Sequence, residues 1–302
     1  MPLVTMRWQS GARPQAFTDR FWATKDGIAL YARDYSAGDG GARLPVVCLH
    51  GMTRNSADFE DLAPLLAATH RRVVVPDMRG RGRSGNDPRP HNYHLLTYAG
   101  DVVDLMGHLG IGQAHVIGTS MGGLIAMLVA MQRPNLIRSA VLNDVGPYLS
   151  AEGLLRLAGH AAPPPHFATW NDAQTFVRQQ NALAFPHLDD AAWAAFTRRL
   201  CRETPNGTVE LAFDPEIFRP LWSPKGAPFV FDMSPAYLSL AAGHILVVRG
   251  ELSDVLDRAG VYRMQGLTRR FRSVEVAGVG HAPTLMEPEA RSAIEAFLAE
   301  MP

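Results

Sequence analysis

Residues 114–130 read AHVIGTSMGGLIAMLVA, and this stretch decides the fold. Its first part, 114–118, is a short apolar run typical of a buried strand, and from Leu124 onward the sequence is apolar over a helical length. Between the two, residues 118–122 match G-x-S-x-G around Ser120. The motif alone is weak, because a chain of this composition contains about 0.1 such matches by chance. Its position between a predicted strand and a predicted helix makes it strong, since the motif requires that context.

Gly118 and Gly122 have a steric role in this turn. A sharp strand-to-helix turn holds Ser120 in a strained backbone conformation with its neighbours packed close, and only residues without a β-carbon fit beside it. The alternative is a turn that binds phosphate at a helix N-terminus. That alternative is disfavoured, because the spacing is neither G-x-G-x-x-G nor G-x-x-x-x-G-K-[ST] and no acidic residue stands where a ribose requires one.

Outward from this turn, short apolar runs alternate with helical patterns, which predicts right-handed βαβ crossovers and a mostly parallel sheet. Strands are predicted at 46–50, 72–77, 114–118, 140–144, 244–250 and 272–277. Helices are predicted at 58–68, 95–109 and 288–299. Residues 20–24 and 28–35 predict a hairpin that adds an antiparallel edge to the sheet.

The alternation stops between residues 146 and 241, where no convincing buried strand is found and prolines are frequent. Helical segments at 172–184 and 189–202 indicate an inserted helical cap or lid. The expected domains are therefore an α/β core of residues 1–145 and 242–302 and a cap of residues 146–241. The predicted fold class is α/β, a mostly parallel doubly wound sheet with an inserted helical cap.

The composition excludes several classes of protein. Among 302 residues, 29 Lys and Arg balance 29 Asp and Glu, which argues against nucleic acid or an anionic membrane surface as the main partner. No apolar stretch is long enough to span a bilayer, and Met1–Gln15 lacks the continuous apolar run of a secretory signal. Cys48 and Cys201 have no disulfide-framework or zinc spacing and are interpreted as small buried hydrophobes. A soluble protein of the cytoplasm is expected.

A serine nucleophile needs a base that takes its proton and a carboxylate that orients this base. His281 follows the last predicted strand on a glycine-rich loop and is the predicted base. Asp254 follows the preceding strand in a Gly-Glu-x-Ser-Asp stretch and is the predicted acid. Asp144 is the alternative acid, because it ends the strand after the nucleophile helix; Asp257 and Glu251 are weaker competitors. The predicted base and acid follow the carboxyl ends of parallel strands, where open sheets bind their ligands.

With these residues the chain resembles the α/β-hydrolase fold family. Residues 49–52, LHGM, match the family's His-Gly turn, and residues 77–84, DMRGRGRS, match its D-x-R-G-x-G-x-S loop. The resemblance implies that the backbone N–H groups of Met52 and Met121 form an oxyanion hole. Two fixed donors aimed at a developing negative oxygen usually supply the largest catalytic contribution.

The other candidate positions have structural interpretations. His50 and Gly51 are expected to order the oxyanion turn, so that His50 does not act as a base. His91 and His94 have an i,i+3 spacing, but no His-Glu-x-x-His and no carboxylate cluster accompany them, so a solvated loop is favoured over a metal site. The arginines of the loop that begins at Asp77 are interpreted as turn and surface residues. No metal and no cofactor are expected.

The serine at position 120 separates two groups within the family. Haloalkane dehalogenases and epoxide hydrolases resemble the chain in cap and His-Gly turn but use an aspartate at this position, whereas a serine forms an acyl-enzyme that water can hydrolyse. The cap is rich in aromatic residues, some of which are expected to face the cleft. The large apolar residues of the cap are Leu154, Leu155, Leu157, Phe167, Trp170, Phe176, Phe185, Trp193, Phe196, Phe213, Phe218 and Trp222.

The sequence therefore predicts a cofactor-free serine hydrolase that acts on small or medium apolar carboxylic esters. Its small-molecule substrate would be an apolar ester or related acyl compound. The same machinery would also serve a carbon-carbon bond hydrolase of ring-cleavage diketones, a lactonase or a perhydrolase. An alternative of another class is a ligand receptor on the same fold with vestigial turnover.

Overall fold

Ten strands occur in the computed structural model, which describes residues 17–38, 43–148, 165–222 and 232–301. They are β1 Phe17–Ala23, β2 Ala29–Tyr35, β3 Val46–Leu49, β4 Val73–Asp77, β5 Ala114–Thr119, β6 Ile137–Asn143, β7 Cys201–Glu203, β8 Val209–Leu211, β9 His244–Gly250 and β10 Phe271–Val276. Eight of them form one sheet in the order β1-β2-β4-β3-β5-β6-β9-β10. Strands β1 and β2 are antiparallel to their neighbours and all other pairs are parallel, which confirms the predicted, mostly parallel sheet.

Helices cover both faces of this sheet. They are α1 Leu62–Ala67, α2 Leu95–His108, α3 Met121–Gln132, α4 Trp170–Asn181, α5 Asp190–Leu200, α6 Ser234–Leu240, α7 Arg258–Gly266 and α8 Pro288–Ala299. One apolar cluster joins α2, α3 and α6 to the sheet, and a second joins α1 and α8 to its other face. The inner parallel strands β3, β4, β5, β6 and β9 are therefore buried on both faces, as their apolar runs predict, whereas the edge strand β10 is largely exposed.

Local differences from the predicted elements are small in the core. The predicted hairpin is confirmed, with Phe17 opposite Tyr35 and Ala23 opposite Ala29. The helix predicted at 58–68 is divided into a 3₁₀ turn at Ser56–Phe59 and helix α1. Its proline lies in the first turn of α1, where a missing N–H costs no helical hydrogen bond.

The inserted segment has an apolar cluster separate from those of the sheet. Helices α4 and α5 pack around Trp193 together with the β7-β8 hairpin, which sequence reasoning missed. The signal for that hairpin is the Asn206-Gly207 pair between the two strands. Helix α6, which the predicted boundary assigns to the cap, packs in the cluster on the sheet through Tyr237 and Leu240.

Some predictions fall outside the described residues. These are the N-terminal residues Met1–Gln15, the leucines of the cap at positions 154, 155 and 157, and the side chain of Trp222. In the ranges that are described, no helix combines the length and apolar character needed to cross a membrane.

Candidate active site

The turn between β5 and α3 has the strained geometry that its glycines predict. Ser120 adopts φ 51° and ψ −116°, and its N–H donates to the Asn143 carbonyl at 2.9 Å. A β-carbon on Gly118 would lie 2.5 Å from the backbone nitrogen of Gly123, and one on Gly122 would lie 2.1 Å from the Leu49 carbonyl oxygen. Both glycines are therefore required by close backbone contacts, and the serine is held at the carboxyl edge of the sheet.

His281 lies between Ser120 and a buried carboxylate. Its Nε2 is 2.9 Å from Ser120 Oγ, and its Nδ1 is 2.7 Å from Asp144 Oδ2. Because an ionised carboxylate can only accept hydrogen bonds, Nδ1 carries the proton and Nε2 is free to accept the serine hydroxyl hydrogen. The structure thus brings together the predicted nucleophile and base with the alternative acid.

Asp254, the predicted acid, is not the residue hydrogen-bonded to His281. Its side chain is exposed on the loop after β9, whereas Asp144 is fully buried directly after β6. Strands β6 and β9 are neighbours in the sheet, so the loops after both strands reach the same edge. Two further hydrogen bonds hold the Asp144 carboxylate in place beside His281. Its Oδ1 accepts the Gly250 N–H at 3.0 Å, and its Oδ2 accepts the Ser253 hydroxyl at 2.5 Å.

His50 is buried behind the turn that follows β3. Its Nδ1 donates to the Gly51 carbonyl at 2.7 Å, and its Nε2 accepts the Met78 N–H at 3.0 Å. Burial lowers the pKa of His50 to about 3, against the opposite effect of the Gly51 hydrogen bond. Both ring nitrogens are thus occupied by backbone groups, which leaves no basic nitrogen for catalysis.

We predict that His50 makes folding stability depend on pH. The unfolded histidine titrates near its ordinary pKa of 6.5, so between pH 6.5 and about 3 the unfolded state binds a proton that the folded state does not. The free energy of unfolding should therefore fall as the pH falls through this window, by up to about 1.4 kcal/mol per pH unit from this group. Urea unfolding at pH 7.5 and 5 measures it. His50→Gln should reduce the difference, while the exposed His91→Gln should not.

Two arginines of the 77–84 loop are buried, which corrects their interpretation as turn and surface residues. The Arg79 guanidinium contacts three carboxylates: Asp87 at 2.5 Å, Asp101 at 2.6 Å and Asp26 at 2.9 Å. Only Arg83 is half exposed. Through these ion pairs Arg79 links the β1–β2 turn, the loop after β4 and helix α2.

Arg79→Met should lower the free energy of unfolding by about 3 to 5 kcal/mol, because it removes the buried cation that neutralises the buried carboxylates of Asp87 and Asp101. Arg83→Met, which removes a half-exposed pair with Asp19, should cost less than about 1 kcal/mol. Chemical denaturation of both variants at neutral pH measures the difference. Equal costs would contradict the structural role assigned to Arg79.

Arg81 connects the two residues whose N–H groups are the predicted oxyanion donors. Its Nε donates to the Met52 carbonyl at 2.9 Å, and its Nη2 lies 3.9 Å from the Met121 sulfur. Nη1 donates to the Tyr98 hydroxyl at 2.8 Å. Met121 is the first residue of α3, where backbone N–H groups have no acceptor in the helix. The loop arginine therefore fixes the turn at Met52 relative to the start of the helix.

A cavity of about 300 Å³ lies beside Ser120 and His281. Gly51 and Met52 line it next to Ser120, and Arg54 and Asp58 form part of its polar wall. Its apolar wall includes five of the predicted cap aromatics: Phe176, Phe185, Phe196, Phe213 and Phe218. Others, such as Trp193, pack against these rings away from the cavity. The inserted segment thus supplies much of the apolar wall of the cavity beside Ser120.

Comparison with known proteins gives the family. A family model described as alpha/beta hydrolase fold matches residues 45–288. The chain belongs to this family. A crystal structure of an alpha/beta hydrolase from Novosphingobium aromaticivorans is similar with a TM-score of 0.88 at 38% sequence identity, covering 94% of this chain and 98% of that chain. The fold predicted from the sequence is therefore confirmed.

Three curated relatives of this α/β-hydrolase are named for hydrolase or lipase activity. A 3-hydroxybutyrate-oligomer hydrolase from Cupriavidus necator is 33% identical over 257 residues, which cover 83% of this chain and 87% of the relative. A 2-(acetamidomethylene)succinate hydrolase from Mesorhizobium japonicum is 28% identical over 80% of this chain and 82% of its own length. An sn-1-specific diacylglycerol lipase ABHD11 from Danio rerio is 37% identical over 39% of this chain and 37% of its own.

Sequence reasoning missed two residues that position the site of this α/β-hydrolase. The Ser253 hydroxyl donates to Asp144 Oδ2, and its signal is the same loop that predicts Asp254. The side-chain Nδ2 of Asn143 donates to the backbone carbonyl of Pro283 at 2.8 Å, two residues after His281. The backbone carbonyl of Asn143 accepts the Ser120 N–H. Asn143 thereby connects the serine turn to the histidine loop.

His91 and His94, which have the i,i+3 spacing of some metal ligands, have structural surroundings instead. His94 caps helix α2 by accepting the Leu96 N–H at 3.2 Å, and His91 lies exposed in a 3₁₀ turn. Over the described ranges there is no group of three or more His, Cys, Asp or Glu side chains arranged to hold a metal ion. Cys48 and Cys201 are both free and buried, as the sequence predicts.

Proposed function

We propose that this protein is a serine hydrolase that cleaves carboxylic esters of small or medium apolar acyl groups. The observation that carries the proposal is the hydrogen-bonded series Ser120, His281 and Asp144 at the edge of the aromatic cavity. In this reaction Ser120 is the nucleophile, His281 the base and Asp144 the orienting acid. No metal or cofactor is needed for the step, because the hydroxyl is activated by the imidazole.

Acylation begins when Ser120 Oγ attacks the ester carbonyl carbon and its proton passes to His281 Nε2. The carbonyl oxygen becomes an oxyanion, which the N–H groups of Met52 and Met121 would stabilise. Asp144 holds the imidazole in the tautomer that can accept the proton and stabilises the imidazolium that forms. The donors are useful because they are fixed before the reaction and need no reorganisation.

The tetrahedral intermediate collapses when His281 gives its proton to the leaving alkoxide oxygen. The alcohol departs and the acyl group remains on Ser120 as an ester. A water molecule, deprotonated by the same imidazole, then attacks this acyl-enzyme, and the proton returns to Ser120 as the acid is released. Every proton transfer goes to or from His281 Nε2, so a single base serves both halves of the reaction.

The cap supports an apolar acyl substrate. The phenylalanine side chains of the cavity exclude water from the ester and offer little stabilisation to a highly charged group. One curated relative, which matches 83% of this chain, is named for hydrolysis of 3-hydroxybutyrate oligomers, which are short chains of ester-linked hydroxyacids. Esters of this size and polarity are suitable first substrates.

The proposal is tested with aryl acetates, butyrates, hexanoates and octanoates and with a fluorophosphonate probe. We expect multiple turnovers on the short and medium esters and covalent labelling located at Ser120 by peptide mass spectrometry. Labelling at another residue would contradict the assignment of the nucleophile. Release of only one equivalent of alcohol from every ester would instead favour a receptor with vestigial turnover.

A further inference from the structure

Arg54 stands beside the nucleophile in the wall of the cavity. A β-carbon placed on Gly51 would lie 3.5 Å from Arg54 Cγ and 3.8 Å from Ser120 Cβ, so the arginine stem and the serine flank the same glycine. The guanidinium carbon lies 4.4 Å from the centre of the Phe196 ring, which also lines the cavity. A cationic side chain thus starts close to Ser120, and its guanidinium lies against a ring of the same cavity wall.

Most hydrogen-bond donors of this guanidinium are available to a ligand. Over the described residues its one hydrogen bond is a long contact of 3.4 Å from Nη1 to Asp58 Oδ1. A guanidinium carries five N–H donors in a rigid planar arrangement. Because the guanidinium packs over the Phe196 ring, its position is restricted before a ligand arrives.

Asp58 neutralises the charge of Arg54 only in part. Burial raises the pKa of the Asp58 carboxyl, against the opposite effects of Arg54 and Arg199. A carboxyl whose charge is disfavoured by burial neutralises a neighbouring guanidinium poorly. Arg199, the other arginine of the cavity wall, is held by two carboxylates, with its Nε 2.7 Å from Glu60 Oε1 and its Nη2 on Asp61. Arg54 is therefore the guanidinium better placed to bind an anionic group in the cavity.

We propose that Arg54 forms a carboxylate subsite, which selects esters that carry one free carboxylate a few bonds from the scissile carbonyl. The guanidinium would bind the carboxylate through paired N–H···O hydrogen bonds. This inference rests on the proposed function and narrows its substrate class from a neutral apolar ester to an apolar ester with one anionic end. Half-esters of short dicarboxylic acids carry the carboxylate on the acyl side, and esters of hydroxyacids carry it on the alcohol side.

The test compares each carboxylate ester with its neutral carboxamide counterpart. Monoethyl glutarate is paired with ethyl 4-carbamoylbutanoate, and 3-(butyryloxy)butanoate is paired with 3-(butyryloxy)butanamide. In Arg54→Gln the ratio of kcat/KM for the carboxylate over the carboxamide should fall by about 10- to 100-fold in at least one pair. The loss should be mainly in KM, because the subsite binds a part of the substrate that does not react.

Three further variants separate the subsite from a structural role. Arg54→Lys should recover part of the ratio, since it retains the charge but loses the planar pair of donors. Asp58→Asn should raise the ratio above wild type, because it removes the competing carboxylate. Arg198→Gln, which removes an exposed arginine stacked on Trp170 outside the cavity, should leave the ratio unchanged.

The results distinguish this inference from the proposed function. An unchanged ratio in folded Arg54→Gln, with the carboxamide esters still hydrolysed, would overturn the subsite while the serine hydrolase stands. If Arg54→Gln does not fold, a ratio in Asp58→Asn equal to or below that of wild type would overturn the subsite. Absence of hydrolysis of every ester and of fluorophosphonate labelling would contradict the proposed function itself.

Discussion

Ser120→Ala should lower kcat for ester hydrolysis by about 10⁴- to 10⁶-fold, because it removes the only atom that can form the acyl-enzyme in the proposed mechanism. The cavity and the two N–H donors remain, so KM should change little and a small rate above that in water should persist. Steady-state hydrolysis of an aryl butyrate measures the change. Loss of fluorophosphonate labelling in the same variant ties the lost turnover to the missing oxygen.

Ser239→Ala is the matched control for this loss. Its hydroxyl donates to the Pro235 carbonyl within α6, away from the cavity, so the same substitution there should keep wild-type turnover. Retention of wild-type kcat by Ser120→Ala would mean that another group attacks the ester. Such a result would remove the acyl-enzyme from the mechanism, whatever the geometry around His281.

The strands most easily predicted from the sequence are those with continuous apolar runs. Strand β9 was predicted with its observed bounds, 244–250, because nearly all of its side chains are buried between the two helical layers. The start of β6 was predicted three residues too late. Its early residues include Ser139, a buried polar side chain that bonds to His115 at 2.7 Å. A polar residue satisfied by a partner 24 positions away gives no apolar signal in the sequence.

The cap shows a second limit of sequence reasoning. Helices α4 and α5 were predicted from their apolar periodicity, but the residues that reach the nucleophile could not be separated from those that fill the cap. Phe185 and Phe196 line the cavity while Trp193 packs behind them, although all three lie close in the sequence. Their roles depend on how the cap packs over the sheet, which no local pattern specifies.

Which carboxylate bonds to His281 could not be decided from the sequence, for a topological reason. Residues after β6 and after β9 both reach the edge at which His281 lies, since the two strands are neighbours. What selects Asp144 is a set of donors from elsewhere in the chain, namely Gly250 N–H and the Ser253 hydroxyl. The motif that suggested Asp254 therefore supplies these donors to Asp144.

Asp144→Asn should lower kcat by about 10⁴-fold, an effect close to that of losing the nucleophile. Gly250 N–H donates to Oδ1, so an asparagine would keep its carbonyl oxygen there and place its NH₂ group at the Oδ2 position. An NH₂ group facing His281 Nδ1 favours the tautomer with the proton on Nε2. That tautomer cannot accept the proton of Ser120, although the residues remain in place.

Asp254→Asn is the matched control, and we expect its kcat to stay within a few-fold of wild type, because its exposed side chain is not the one bonded to His281. Both variants remove one negative charge at the same edge of the sheet, so a difference between them reports the hydrogen bond to the imidazole and not the local charge. Slow fluorophosphonate labelling in Asp144→Asn, with normal labelling in Asp254→Asn, would locate the defect in activation of the serine. The opposite pattern would return the acid to Asp254 and require the loop after β9 to rearrange before the enzyme acts.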